Sequence, residues 1–208
     1  MIGFYDYTVI LTYLSLASGI FGIYFSFCGN PLVAIWCLLF SGLCDMFDGK
    51  VARTKKNRTT QERQFGIQLD SLCDVICFGV LPGAIGIATG MKEWWFILIN
   101  VLFAICAVIR LAYFNVTEEE RQSITKSARI FYEGLPVTSS AVIFPFVFCF
   151  SDTLDDMFKY VYAGMLLIIA ILYISPVRIP KPKKFLASIL ILLGITEFVC
   201  LILLTFNR

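Results

Sequence analysis

Long apolar runs separated by short polar connections dominate the chain. Seven of these runs read as membrane-spanning helices, at about 8–27, 31–53, 65–90, 94–115, 134–151, 157–175 and 185–206. Each has about 18 residues or more, the length a helix needs to cross a hydrocarbon core of roughly 30 Å. A count of six follows if one short run lies in the interface. The connections alternate in charge. Lys50, Arg53, Lys55, Lys56, Arg58 and Arg63 follow the second run, and Arg110, Arg121, Lys126 and Arg129 follow the fourth. Arg178, Lys181, Lys183 and Lys184 follow the sixth, so three connections hold 14 of the 17 basic residues. The intervening ones hold Lys92 and Lys159 with Asp152, Asp155 and Asp156. Basic connections are retained on the cytoplasmic side, which predicts a cytoplasmic N-terminus and an external C-terminus.

Composition agrees with the pattern. The 208 residues are 59% hydrophobic and 15% charged, with a mean hydropathy of +0.82, whereas soluble domains carry roughly 25% charged residues. The expected fold is an all-α polytopic membrane protein, a single integral-membrane domain over 1–208. The N-terminus has no basic lead and runs into a full-length span, so no cleavable signal peptide is expected. A net charge of +2 gives no reason to expect nucleic acid as a partner. The basic connections would instead lie against an anionic membrane lipid surface. Eight cysteines sit mostly inside apolar runs, as packing residues do. The chain has no histidine, which excludes His-ligated zinc, catalytic triads and imidazole bases. Acid–base or metal chemistry must fall to carboxylates. Trp94 and Trp95 open the fourth span at interfacial depth. Glu197 is mid-span in the seventh and is expected to face a partner helix or a dimer seam.

Four carboxylates interrupt this apolar scheme. Asp45 and Asp48 close the second run, three residues apart, and Asp70 and Asp74 lie four apart near the start of the third. Both spacings put each pair on one helix face. Two antiparallel helices then bring all four together just below the cytoplasmic surface. Carboxylates so placed are costly in a membrane and mark function. They cannot all stay ionised without cations between them. Oxygen-only donors suit Mg²⁺, Mn²⁺ or Ca²⁺, and two such ions form the usual clamp for phosphoryl transfer. Gly49 and Gly66 leave room for close backbone approach of a phosphate, Ala52 keeps the Asp48 face open, and Arg53 offers a bidentate phosphate contact.

The pattern Asp45-x-x-Asp48-Gly49-x-x-Ala52-Arg53, then Gly66-x-x-x-Asp70-x-x-x-Asp74, resembles the signature of the CDP-alcohol phosphotransferases, integral membrane enzymes of phospholipid synthesis. The stretches FGIQLDSLCDVICFGVLP, IRLAYFNV and FYEGLP look like one branch, the CDP-diacylglycerol–serine O-phosphatidyltransferases, and the similarity covers about 40–140. The resemblance implies transfer of the phosphatidyl group of CDP-diacylglycerol to the hydroxyl of L-serine, with release of CMP. It implies two divalent metals, Mg²⁺ or Mn²⁺ or else Ca²⁺, on Asp45, Asp48 and Asp70. Asp74 would be the general base toward the acceptor and a further metal contact, and Gly49, Ala52, Arg53 and Gly66 would line the nucleotide and diphosphate site. It also implies a homodimer with its active site near the cytoplasmic face. One departure from the family pattern is the connection TKKNRTTQERQF between Arg53 and Gly66, 12 residues long where about eight are usual. The added residues amount to about one helical turn.

A zwitterionic acceptor needs a cation for its carboxylate and an acceptor for its ammonium group. Arg110, Asn115 and Glu133 are the candidates, with Arg129 and Lys126 as alternatives, while Glu118 to Glu120 read as a solvated loop. Rival acceptors within the superfamily are glycerol 3-phosphate and inositol. A cation-coupled transporter is the alternative from another class. It would place its acidic site at the midplane between inverted repeats, and no such repeat is visible.

Overall fold

The computed structural model describes residues 3–124, 131–180 and 184–207. A 3₁₀ turn, Tyr7–Val9, leads into α1 (Ile10–Phe27), then α2 (Pro31–Ala52), α3 (Thr60–Asp74), a π-helical stretch Val75–Val80 and α4 (Leu81–Ala88). There follow α5 (Trp94–Ile124), α6 (Ser140–Phe148), a short α7 (Ser151–Leu154), α8 (Phe158–Ile174) and α9 (Lys184–Asn207). Two three-residue strands, β1 (Phe131–Glu133) and β2 (Arg178–Pro180), pair antiparallel with Tyr132 opposite Ile179. Among the described residues, Tyr7–Phe27, Pro31–Ala52, Thr60–Ala88, Trp94–Arg121 and Ser151–Ile174 are long and apolar enough to cross a membrane, Val137–Phe148 is a shorter apolar helix, and Gly194–Phe206 is an apolar stretch of α9. The chain is an all-α polytopic membrane protein, and the β1–β2 pairing is a small addition that hydropathy does not foreshadow.

Two helices run further than their apolar residues. The third starts at Thr60 rather than near 65 because Thr59 and Glu62 form a capping box. The Glu62 N–H donates to Thr59 Oγ1 at 3.2 Å, and the Thr59 N–H donates to the Glu62 carboxylate at 2.8 Å. The fifth, predicted to end near 115, continues to Ile124. Thr117 Oγ1 bonds the Tyr113 carbonyl at 3.0 Å, and Arg121 pairs with Glu118 one turn away at 2.5 Å. The acidic run 118–120 is therefore helical, not a loop. Within Thr60–Ala88, Pro82 has no N–H for the preceding turn, and the helix widens into its π stretch just before it.

Between lipid-embedded helices there is little hydrophobic drive, so close approach and polar contacts hold them together. Ser15 and Ser41 exchange hydroxyl-to-carbonyl bonds at 3.2 and 3.0 Å, and Ser18 Oγ donates to the Cys37 carbonyl at 2.9 Å. These bonds join α1 to α2. A Cβ on Gly19 would stand 2.6 Å from Cys77 Sγ on the π stretch, whereas around Gly164 of α8 there is open space. Gly19→Val is therefore expected to cost about 1–3 kcal/mol, read as a lower melting temperature of the detergent-purified protein. Gly164→Val should melt like the parent.

The core lies where the π stretch, α4, α5, α6 and α8 meet, with Phe78, Leu81, Phe103, Phe144, Tyr162 and Leu166 all fully buried. Glu197 is 2% exposed and points inward near Cys149 rather than to lipid. At one end of the bundle lie the 53–59 connection, the end of α5 and the β1–β2 pair. At that end the N-terminal segment folds over the connection as a clasp. Lys55 Nζ bonds both Asp6 and Glu62 at 2.9 Å, Tyr7 Oη meets Thr54 Oγ1 at 3.0 Å, and the Phe4 and Phe65 rings meet edge-on at 5.6 Å. The Thr8 hydroxyl above all, helped by Lys55, pushes the Asp6 carboxyl down from 3.8 to about 2. The clasp thus stays ionised throughout the neutral range. The connection up to Gly66 consists of this clasped loop and the first turns of α3.

Candidate metal centre and its cavity

The last turns of α2 put Asp45 and Asp48 on the face turned toward α3, and α3 returns Asp70 and Asp74 at the same depth. One carboxylate oxygen from each of Asp45, Asp70 and Asp74 lies within 4.8 Å of the other two. Asp48 meets the Asp70 carboxyl and takes a hydrogen bond from the Thr12 hydroxyl of α1 at 3.5 Å. Three helices therefore build the cluster. Asp74, the last residue of α3 before the π stretch, is the most enclosed of the four, 7% exposed. The nearby Cys77 thiol is turned away, donating to the Ser15 carbonyl at 3.3 Å. What remains is an oxygen-only donor set whose like charges repel, and it fits a hard divalent cation.

A cavity of about 900 Å³ opens beside the cluster, between α3 and α5. Asp70, Asp74, Ser71, Gln68, Asn115 and Arg53 line it. Asn115 Nδ2 donates to Ser71 Oγ at 2.8 Å, which joins the two walls. Gly49 is exposed with open space about it, and Ala52 is half-buried. Gly66 carries the guanidinium of Arg58 against its Cα, where any Cβ would overlap Nη2.

The residues proposed for the acceptor divide between two places. Asn115 shares the cavity with the aspartates. Arg110 and Glu133 line a second cavity of about 190 Å³ with Tyr113 and Tyr173. Arg110 is 5% exposed, its Nε donates to the Leu135 carbonyl at 3.1 Å, and its guanidinium lies 5.4 Å from the Phe114 ring centre. Glu133 accepts from the Tyr113 hydroxyl at 2.7 Å. Arg129 and Lys126 lie outside the described residues. Thr12, Ser71 and Gln68 join the site without having been singled out in the sequence, and Arg58 lies over Gly66 at its edge. Thr12 had a signal, since Thr12, Ser15 and Ser18 repeat every third residue along the buried face of α1.

Residues 8–194 match the family model described as CDP-alcohol phosphatidyltransferase. Among similar proteins, the CDP-diacylglycerol–serine O-phosphatidyltransferase of Saccharomyces cerevisiae is 33% identical over 150 residues, 66% of this chain and 52% of that protein. The enzyme of the same name from Helicobacter pylori strain J99 is 29% identical over 199 residues, 86% of this chain and 74% of that one. The archaetidylserine synthase of Methanothermobacter thermautotrophicus is 31% identical over 175 residues, 83% of this chain and 68% of that one. The chain thus spans about half the length of the yeast relative.

Proposed function

Because this chain belongs to the CDP-alcohol phosphatidyltransferase family, we propose that it transfers the phosphatidyl group of CDP-diacylglycerol to the hydroxyl of L-serine, giving phosphatidylserine and CMP. The observation that carries this reading is the meeting of carboxylates from α2 and α3, within 4.8 Å, at the wall of a cavity. The names of the three relatives differ in the lipid and agree on serine. Asp45, Asp48, Asp70 and Asp74 would hold two divalent cations, Mg²⁺ or Mn²⁺, which neutralise diphosphate oxygens and the charge that develops as phosphorus changes partners. Gly49, Ala52, Arg53 and Gly66 flank the nucleotide and its diphosphate.

The acceptor enters through the cavity between α3 and α5. Ser71 and Asn115 orient it there, with the serine hydroxyl toward Asp74. Asp74 takes the hydroxyl proton as the serine oxygen bonds to the phosphatidyl phosphorus, and the bond from that phosphorus to the CMP oxygen breaks. With the basic connections retained inside, the cavity opens to the cytoplasm, where serine and CMP are soluble. The resemblance further implies a homodimer.

Membranes carrying the protein, supplied with CDP-diacylglycerol, labelled serine and Mg²⁺ or Mn²⁺, are expected to form labelled phosphatidylserine and stoichiometric CMP. Product with glycerol 3-phosphate or inositol but none with serine overturns the acceptor assignment. Asn115→Ala should raise the KM for serine about tenfold, the scale of one lost polar contact to a charged group, and leave the KM for CDP-diacylglycerol unchanged.

A further inference from the structure

Arg58 sits in the connection between α2 and α3, where most side chains face water, yet its Nε is buried and has no hydrogen-bond partner among the described residues. Its Nη2 lies against Gly66, so closely that a Cβ there would overlap it. Gly66 is one helical turn before Asp70 on the same face of α3, about 6 Å along the axis. The guanidinium therefore rests one turn on the connection side of the carboxylate cluster.

The chain holds it there by anchors on both sides. Lys55 bridges Asp6 and Glu62 at 2.9 Å, Tyr7 secures Thr54 at 3.0 Å, and Thr59 caps α3. A buried N–H left without an acceptor is costly. A segment clasped at three points that nonetheless leaves one unmade implies an acceptor brought by a ligand. The ligand must be anionic, planar enough in its oxygens for a guanidinium fork, and long enough to reach from the carboxylates to Gly66. A nucleoside diphosphate ester meets all three conditions.

We propose that Arg58 binds the nucleotide-side phosphate of CDP-diacylglycerol, which would run from the aspartate cluster across Gly66. This rests on the CDP-alcohol reading of the site and extends it to a residue in the connection where the chain departs from the usual family spacing. Arg53 lines the cavity shared with α5, through which the acceptor comes, and Arg58 lies outside that cavity's lining, over Gly66. Gly66 is required to be glycine in part because it seats this side chain.

The test separates nucleotide affinity from turnover. Arg58→Ala is expected to raise both the KM for CDP-diacylglycerol and the inhibition constant of CMP about 10- to 100-fold, the scale of a charge-assisted contact to phosphate. The KM for serine should stay within about twofold, since serine enters on the α5 side of α3. Arg58→Lys keeps the charge and loses the fork, so it should recover only part of the affinity. Gly66→Ala displaces the guanidinium, and its effect on CMP should be less than additive with Arg58→Ala. CMP affinity unchanged in a folded, monodisperse Arg58→Ala protein overturns the proposal. If Arg58→Ala does not fold, Arg58→Lys with wild-type CMP affinity overturns it equally. A parent enzyme that refuses serine while its CMP affinity still depends on Arg58 overturns the acceptor assignment alone and supports the role of Arg58.

Discussion

Asp70→Asn is expected to lower phosphatidyl transfer about 10³-fold or more, the scale of losing several kcal/mol of metal-borne charge stabilisation, and to abolish the protein's response to divalent metal. Asp70 is the centre of the cluster: its carboxylate lies within 4.8 Å of both Asp45 and Asp74 and meets Asp48 as well. Asparagine keeps the shape and removes the charge, so what changes is the attraction for a cation and not the packing of α3. The metal-free protein should melt no lower than the parent, because one of several mutually repelling charges is gone. Added Mn²⁺ should stabilise the parent by about 2.7 kcal/mol at a hundred times its Kd and leave the variant unmoved. Melting curves of both proteins with and without Mn²⁺, beside the transfer assay, read the two effects separately. A variant that still gains stability with Mn²⁺ and still turns over removes the metal reading of the cluster.

The aspartates were legible in the sequence because helical spacing is a strict geometric rule. Three- and four-residue separations at the ends of two adjacent spans leave few places for the side chains to go. The helix limits were less legible because hydropathy marks where lipid begins, not where hydrogen bonding begins. The third helix starts at Thr60 on the strength of Thr59 and Glu62, a capping pair written in TTQE, a polar stretch on which hydropathy is silent. The fifth helix runs through EEER because charges at three-residue spacing support a helix as well as they decorate a loop.

The placement of Arg58 and the separation of Arg110 and Glu133 from Asp74 could not be read locally. The first depends on Asp6 and Tyr7, some fifty residues away in sequence. The second involves Glu133, which sits in a strand paired with the distant segment 178–180. The connection after Arg53, the clearest irregularity in the signature, is held by a clasp built from residues outside the motif.

Asp74→Asn should separate two roles that the geometry brings close together. Asp74 stands with Asp45 and Asp70 in the cluster, and it also lines the cavity with Ser71 and Asn115. It is 7% exposed, so the face it leaves open is the one turned to that cavity, where an acceptor hydroxyl would meet it. As the base, its loss should lower kcat about 10²- to 10⁴-fold and leave the KM for CDP-diacylglycerol in place. The deficit should then persist at saturating Mn²⁺, since no amount of metal supplies a proton acceptor at that position. As a ligand alone, the variant would need more metal and would recover its rate when given it. The metal dependence of kcat in Asp74→Asn therefore decides between them, and a rate restored by excess Mn²⁺ would remove Asp74 from the chemistry and leave it in the cluster. Asp74→Glu sharpens the comparison. It restores a carboxylate but lengthens a side chain in an enclosed site, so its rate should lie between parent and asparagine variant, limited by geometry and insensitive to added metal.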